Sequence, residues 1–497
     1  MKYLSIDIGT TGGKVALFSG NMELLCCWRQ DYPTYITEEG LGVEQNPEDW
    51  WNLVKEGVPR VLAEAGISGE EVNGIGISCM TPVLLPVDRE GKPLCRSWLW
   101  NDRRGAGYLE QICQRISRDE QIRIVGTVCK EVSFLNKLLF YRDKMPEAYD
   151  RTAAFLQASG YLAYRLTGRI CMDASHGELL FLTDKMTGDY SRKIFEKFSL
   201  NIKKFPPICP VNQVAGFMTK QTAEELGLKS GIPVLSGGHD SALSAYALGA
   251  KEAGDACLDL GNAANLIMCT ETPVFCPAGD VYRHPDGKWL FQIYSATIGA
   301  AFRWLKDNFG IKEQALETET GISAYDQLCE TAKRSIPGAN GLLFLPYLLG
   351  AQQDSEVSGA FLNIRLMHKW PDFIRALLEG CAYSVRYNME QMEKAAGMRM
   401  EEITVCGGGS KNLFWLQIFA DVLNKPLRIS RIREAAVTGA AMLVRTVRPA
   451  DTKEAGRKDK RMTQKELVHP DSGQAVIYEL SYQRFREAFE QQMRAKG

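Results

Sequence analysis

The chain opens MKYLSIDIGTTGGKVALF (residues 1–18), and the reading of this stretch decides the fold. Residues 3–8 are apolar and β-branched enough for a buried strand, 9–13 form a Gly/Thr turn, and 15–18 resume the strand pattern. Such a hairpin exposes backbone N–H groups at Gly9 and the hydroxyls of Thr10 and Thr11, as a phosphate-binding nest does. Asp7 sits at the strand end, where a carboxylate can hold a hydrated Mg²⁺ against phosphate oxygens. Lys14 adds a point charge for the same polyanion. An ordinary hairpin whose acid caps the turn has the same residues, so the tip alone leaves both readings open.

A chain of 497 residues exceeds one ordinary core and predicts two or more domains. With 45% hydrophobic and 24% charged residues it reads as a soluble globular protein, and the net charge of −1 makes no electrostatic case for nucleic acid or an anionic membrane surface. No apolar run is long enough to span a bilayer, and the N-terminus enters a strand rather than a signal segment. The 14 cysteines include no CxxC pair and the five histidines show no ligand spacing. The expectation is a cytoplasmic protein with reduced core thiols and neither structural zinc nor disulfides.

Strand-like and helical runs alternate, which predicts α/β architecture. Strands are expected at 74–79, 83–87 and 232–236, and helices at 47–66 and 241–248, the latter directly after Gly237-Gly238-His239-Asp240. Residues 255–260, the turn Gly261-Asn262-Ala263-Ala264 and residues 265–269 repeat the opening design, as a repeat of structure rather than of sequence. Two related domains, each with a phosphate hairpin, follow from it. A long amphipathic helix at 370–397 leads to a strand at 403–406, three glycines at 407–409 and a helix from Asn412. Residues 448–474 read as an exposed insertion or mobile loop, and a terminal helix is expected from about Ser481. Three glycine turns, at 9–13, 261–264 and 407–409, each follow an apolar strand. The first two would grip phosphates, and the third would let a flat nucleoside approach the backbone.

Several motifs now stand in order: DIGTTGGK (7–14), WNDRR (100–104), YLAYRLTG (161–168), GGHD (237–240), GLLFLPYLLG (341–350), RALLEG (375–380), GGGSKN (407–412) and TGAA (438–441). Together they resemble the FGGY carbohydrate kinases, most closely their xylulokinase branch, within the wider sugar kinase, actin and Hsp70 fold. The resemblance runs from residue 1 to about 447. It implies two actin-like (ribonuclease H-like) α/β domains, mixed sheets flanked by helices, with ATP in the cleft between them. Residues 1–243 would carry sugar and phosphates, 244–447 the nucleotide, 448–474 a polar surface insertion and 475–497 a terminal helix. The implied activity is ATP- and Mg²⁺-dependent phosphorylation of a sugar hydroxyl. D-xylulose is the first substrate, with another ketose, a deoxyketose, a polyol or a sugar acid as alternatives, and relatives are often dimers.

By resemblance, Asp240 is the general base and shares Mg²⁺ with Asp7, while Gly9, Thr10, Thr11 and Lys14 surround the β- and γ-phosphates. Gly261, Asn262, Gly299, Gly408 and Asn412 match nucleotide-contacting positions, and Met80, Thr81, Trp100, Asp102 and His239 match the sugar side. Structural alternatives stand beside these roles. Asp240 suits an N-cap, Gly299 and Gly408 suit helix packing, and Trp98 and Trp100 alternate as a core strand does. Trp100 is therefore expected nearer the core and Asp102 nearer the site. His239 either orients a hydroxyl or packs under Asp240. The chain departs from the family pattern at Asn262 (usually Thr), Thr81 (often His), the Asp-Arg-Arg of 102–104 and Gln352-Gln353-Asp354, and it keeps Lys137. A non-catalytic sugar or nucleotide sensor and a partner-driving ATPase are the rival functions. Intact Asp7, Lys14, Asp240 and GGGS weigh against the sensor.

Overall fold

A computed structural model describes residues 1–37, 39–351, 357–447 and 466–494. The chain forms two units, each assembled from separated stretches. The first takes Met1–Lys251, Glu271–Leu290 and the segment beginning at Glu434; the second takes Glu252–Thr270, Phe291–Arg433 and the C-terminal stretch.

The sheet of the first unit runs in the order Val214–Phe217, Pro233–Leu235, Val72–Cys79, Lys2–Ile8, Gly12–Ser19, Leu24–Asp31. Lys2–Ile8 lies antiparallel to Gly12–Ser19 and parallel to Val72–Cys79, so it is central and buried on both faces. The turn is shorter than the sequence suggests. Gly12 and Gly13 are already paired in the second strand, and Gly9–Thr11 alone make the tip. Helix Pro47–Ala65 starts where Asn46 accepts the Glu48 N–H and ends at Gly66 in a left-handed conformation, φ 63°. Its Trp50, Leu53, Val54 and Val58 are buried against the sheet, each side chain worth about 1.5–3 kcal/mol on burial.

Close approach of backbones holds the other face. A Cβ on Gly76 would meet Ala440 O at 2.4 Å, and one on Gly439 would meet Leu243 O at 2.0 Å. Helix Ala435–Val447 thereby seats directly on strand Val72–Cys79 and on helix Asp240–Leu248. The short strand Gly238–His239 pairs in parallel with Ser78 and Cys79, which brings the start of helix Asp240–Leu248 beside the opening hairpin's strand ends.

The second unit repeats the hairpin. Ala256–Leu260 is antiparallel to Ala264–Thr270 and parallel to Ile403–Cys406, with Leu427–Ile429 and Glu466–Val468 beyond it. Helix Trp370–Ala396 packs on strand Ala264–Thr270, and helix Leu413–Leu423 on helix Trp370–Ala396 and strand Glu466–Val468.

One expectation is corrected. Part of the stretch read as an insertion, Glu466–Val468, is an edge strand pairing Leu467 with Arg428, because a partner strand supplies the order that its polar composition does not announce. The terminal helix spans Ala475–Arg494, starting where the 475–497 segment does and ahead of the run from Ser481. Residues 448–465 of that stretch, and Gln352-Gln353-Asp354, lie outside the described residues. All 14 cysteines are free thiols.

Candidate active site

The first hairpin carries the charge. Asp7 stands opposite Lys14 across the antiparallel ladder and opposite Ser78 across the parallel one. Ser78 Oγ donates to Asp7 Oδ1 at 2.7 Å, and Lys14 Nζ pairs with Glu434 at 2.7 Å. Burial pushes the Asp7 carboxyl up, Lys14 pulls it down and the negative charges of Asp240 and Glu434 push it further, leaving it at about 6. A buried carboxylate held this high is short of positive charge, and that fits a bound cation. Among the described residues no three His, Cys, Asp or Glu side chains group as a metal cage. Mg²⁺ needs none, because it keeps several waters and takes one or two carboxylates plus phosphate oxygens.

The tip is braced from behind. Tyr32 OH donates to Gly9 O at 2.6 Å, and Gln45 Nε2 donates to Thr10 O at 2.6 Å. Gln45 Oε1 in turn accepts from Trp50 Nε1 at 3.0 Å, so the helix core is wired to the turn. Thr11 stays exposed. Trp100 Nε1 donates to Thr10 Oγ1 at 3.1 Å.

Asp240 is the first residue of helix Asp240–Leu248, and the N-cap position belongs to His239, so the N-cap alternative does not hold. Three donors converge on Asp240 Oδ1: Ser241 N at 2.6 Å, His239 Nε2 at 2.9 Å and Ser241 Oγ at 3.3 Å. Oδ2 accepts from no described residue, and the side chain is 38% exposed. Burial pushes this carboxyl up, but the contacts with His239 and the Ser241 N–H outweigh it, so it lies below the ordinary carboxylate value. Asp240 is thus an ionised carboxylate with one oxygen saturated and the other available as an acceptor.

On the sugar side the structure reverses one expectation. Asp102 is fully buried: its Oδ2 accepts from Val43 N at 2.9 Å and Arg104 Nη2 at 2.7 Å, and its Oδ1 from Arg104 N at 3.1 Å. A buried acid has to be paired, and the second arginine of Asp-Arg-Arg pairs it, making Asp102 an anchor of its loop. Trp100 is the exposed member, at 37%, while Trp98 is core. Lys137 Nζ, buried, donates to Leu99 O at 2.8 Å and Trp100 O at 3.2 Å. Desolvation lowers its pKa to about 7, against the pull of Asp102. Met80 is also core, with its N–H bound to Ile8 O at 2.8 Å, so its side chain offers nothing to a sugar. Thr81 Oγ1 meets Gln157 Oε1 at 3.2 Å, and Gln157 clasps Val83 through both main-chain groups.

In the second unit, Asn262 Oδ1 accepts from Arg303 Nη2 at 2.7 Å, and its carbonyl accepts from Ile298 N and Ala300 N. A Cβ on Gly299 would lie 2.2 Å from Gly261 O, so that glycine lets helix Gly299–Phe309 abut the hairpin turn. Gly408 is different: a Cβ there meets nothing within 4 Å, and protein packing does not demand a glycine. The Asn412 side chain is spent on local structure. Its Oδ1 caps helix Leu413–Leu423 at Trp415 N (3.1 Å), and its Nδ2 binds Asp326 Oδ1 at 2.7 Å.

Sequence reasoning missed Ser78, Gln45, Gln157, Glu434 and the Asp173–Ser175–His176 cluster. Only the segment holding Lys137 was noted. None sits in a glycine turn or beside an acid that a motif picks out.

Residues 2–247 match the FGGY family of carbohydrate kinases, N-terminal domain, and residues 260–445 its C-terminal domain. A xylulose kinase of Staphylococcus epidermidis is 29% identical over 447 residues, covering 88% of this chain and 86% of the relative. A gluconokinase of Bacillus subtilis is 24% identical over 445 residues, covering 88% and 86%. The crystal structure of xylulose kinase from Rhodospirillum rubrum superposes with a TM-score of 0.89 at 24% identity, over 99% of both chains. That likeness establishes the two-domain sugar kinase fold, with its mixed sheets and flanking helices.

Proposed function

This chain belongs to the FGGY family of carbohydrate kinases, and on that premise we propose that it phosphorylates a ketopentose, D-xylulose first, from ATP with Mg²⁺. The observation that carries the reading is Asp240: a carboxylate held ionised at a helix start, one oxygen saturated and the other open. Oδ2 accepts the proton of the sugar hydroxyl as that oxygen attacks the γ-phosphorus, a contribution worth about 10²–10⁴-fold in rate. Asp7 would hold Mg²⁺, which when bound neutralises charge on the phosphate oxygens. The Gly9 N–H is taken by Gly12 O at 3.1 Å, so the amides of Thr10 and Thr11 and the exposed Thr11 hydroxyl suit phosphate, with Lys14 contributing charge it shares with Glu434.

Gly261, the side-chain nitrogen of Asn262 and the open space over Gly408 suit the nucleotide. Gly408 is the strongest of these, because the glycine has no packing duty. Exposed Trp100 suits the apolar face of a sugar, with Thr81 for its hydroxyls. D-xylulose is preferred because the relative reported at 29% identity is a xylulose kinase; the gluconokinase makes a sugar acid the alternative. A cytoplasmic homodimer belongs to the same reading. Among the described residues no helix is long and apolar enough to cross a membrane.

The test is ADP release across ketoses, deoxyketoses, polyols and sugar acids, run beside Asp240→Asn. Strong turnover on D-xylulose, lost in the variant, is expected. ATP binding without turnover on any sugar would replace this reading with a non-catalytic sensor.

A further inference from the structure

Behind Asp240 lies a buried polar cluster that the phosphoryl-transfer chemistry does not use. Asp173 is fully buried and both its oxygens are filled. Oδ1 accepts from Ser175 Oγ at 2.7 Å and His176 N at 3.0 Å; Oδ2 accepts from His176 Nδ1 at 2.6 Å and Ser159 Oγ at 3.0 Å. Ser175 Oγ, having given its proton to Asp173, accepts the backbone N–H of His239 at 2.9 Å. His239 is the N-cap residue, whose N–H has no place in the helical ladder, and a side chain from elsewhere in the chain satisfies it.

The His239 ring is held as well. It contacts the His176 ring (centroids 6.2 Å apart, interplanar angle 68°) and the Tyr282 ring (5.0 Å, 74°), both edge-on. His176 Nε2 and His239 Nδ1 are buried without hydrogen-bond partners among the described residues. Each imidazole therefore places its N–H on the nitrogen that faces a carboxylate: His176 Nδ1–H on Asp173, His239 Nε2–H on Asp240. The direction of every bond is then set, from the base outward to a buried and fully paired anion.

We propose that Asp173, Ser175 and His176 form a positioning chain that holds His239 so that its Nε2–H occupies Asp240 Oδ1, leaving Oδ2 alone to meet the sugar hydroxyl. His239 is thus a positioning residue for the base. A carboxylate free to rotate offers either oxygen in many directions; one whose Oδ1 is fixed by three donors offers a single acceptor in a single place. Holding a reacting group within fractions of an ångström is worth about 10²-fold in rate. A satisfied buried network is rigid enough to do so. The inference rests on the reading of Asp240 as the base.

The test uses three variants of the full chain. His239→Leu removes the donor to Oδ1, Ser175→Ala releases the His239 backbone, and His239→Gln keeps an amide N–H of similar reach. The expected result is a fall in kcat of about 10²-fold for His239→Leu and a smaller fall for Ser175→Ala. KM for sugar and for ATP stays within a few-fold, and His239→Gln recovers most of the loss. Crystal structures of His239→Leu and Ser175→Ala are expected to show the Asp240 carboxylate rotated from its parental position. Unchanged kcat, or a loss that falls entirely on the KM for sugar, overturns the proposal. If the parent turns over no sugar, the kinase reading falls by itself. The crystallographic comparison then decides this inference, and an unmoved carboxylate in both variants overturns it.

Discussion

In the first hairpin, Asp7 faces Lys14 on one side and Ser78 on the other; in the second, Asp259 holds the same place and faces Asn265 and Cys406. The strand pairings share one plan, one antiparallel neighbour and one parallel, with a turn one residue shorter in the second. The side chains do not. Lys14 and Glu434 crowd charge around Asp7, while at the second tip an amide, Asn262, is steered by Arg303. A duplicated backbone fixes where a residue can act, and the residue hung there decides which charge it brings. The first hairpin gathers an acid, a lysine and a second acid; the second sets its acid opposite an amide and a thiol.

The largest expected effect tests that division directly. Asp7→Asn should lower kcat/KM by about 10²-fold or more, with part of the loss recovered by excess Mg²⁺. Asp259→Asn should cost far less in the same ADP-release assay. Equal losses would mean that the two tips share the charge after all. Next come the glycines of the second unit. Gly299→Ala forces a methyl within 2.2 Å of Gly261 O, an overpacking worth about 1–3 kcal/mol, visible as a lower Tm. Gly408→Ala meets open space, so Tm should stay put while KM for ATP rises; a Tm loss matching that of Gly299→Ala would make Gly408 a packing residue.

A smaller effect is expected at Arg303→Ala, which frees Asn262. Losing one hydrogen bond of about 1 kcal/mol should raise KM for ATP about fivefold and leave KM for sugar alone. The smallest concerns Lys137, which supports Trp100 and through it the first tip. Its folded-state pKa of about 7 lies below the ordinary lysine value, so between about pH 7 and 10 the unfolded chain binds the extra proton. Stability from this group therefore rises with pH across that window, by no more than about 1.4 kcal/mol per unit. Lys137→Met should remove that slope in thermal melts of parent and variant; parallel curves would show Lys137 charged when folded.

Much of this was legible before any coordinates. Both hairpins, strand Ile403–Cys406 and helix Pro47–Ala65 are written in short-range terms, by alternation, Asn46-Pro47 at one helix end and Gly66 at the other. Asp240 stood out because a strand and two glycines precede it. Other features could not be read. Asp102 and Trp100 exchanged their expected places because Arg104 and Val43 claim the acid. Asn412 is consumed by Trp415 and Asp326. A polar stretch contributes strand Glu466–Val468 only because Leu427–Ile429 lies beside it.

The sequence by itself determined the element types, the hairpin repeat and the family motifs, since these depend on residues a few positions apart whose turn chemistry and periodicity are local. Tertiary structure alone decided which oxygen of Asp240 is free, that Lys14 meets Glu434, and that Ser175 holds His239 from 64 positions away. Burial and partnership depend on what the folded chain brings alongside a residue, and distance along the sequence carries no record of that.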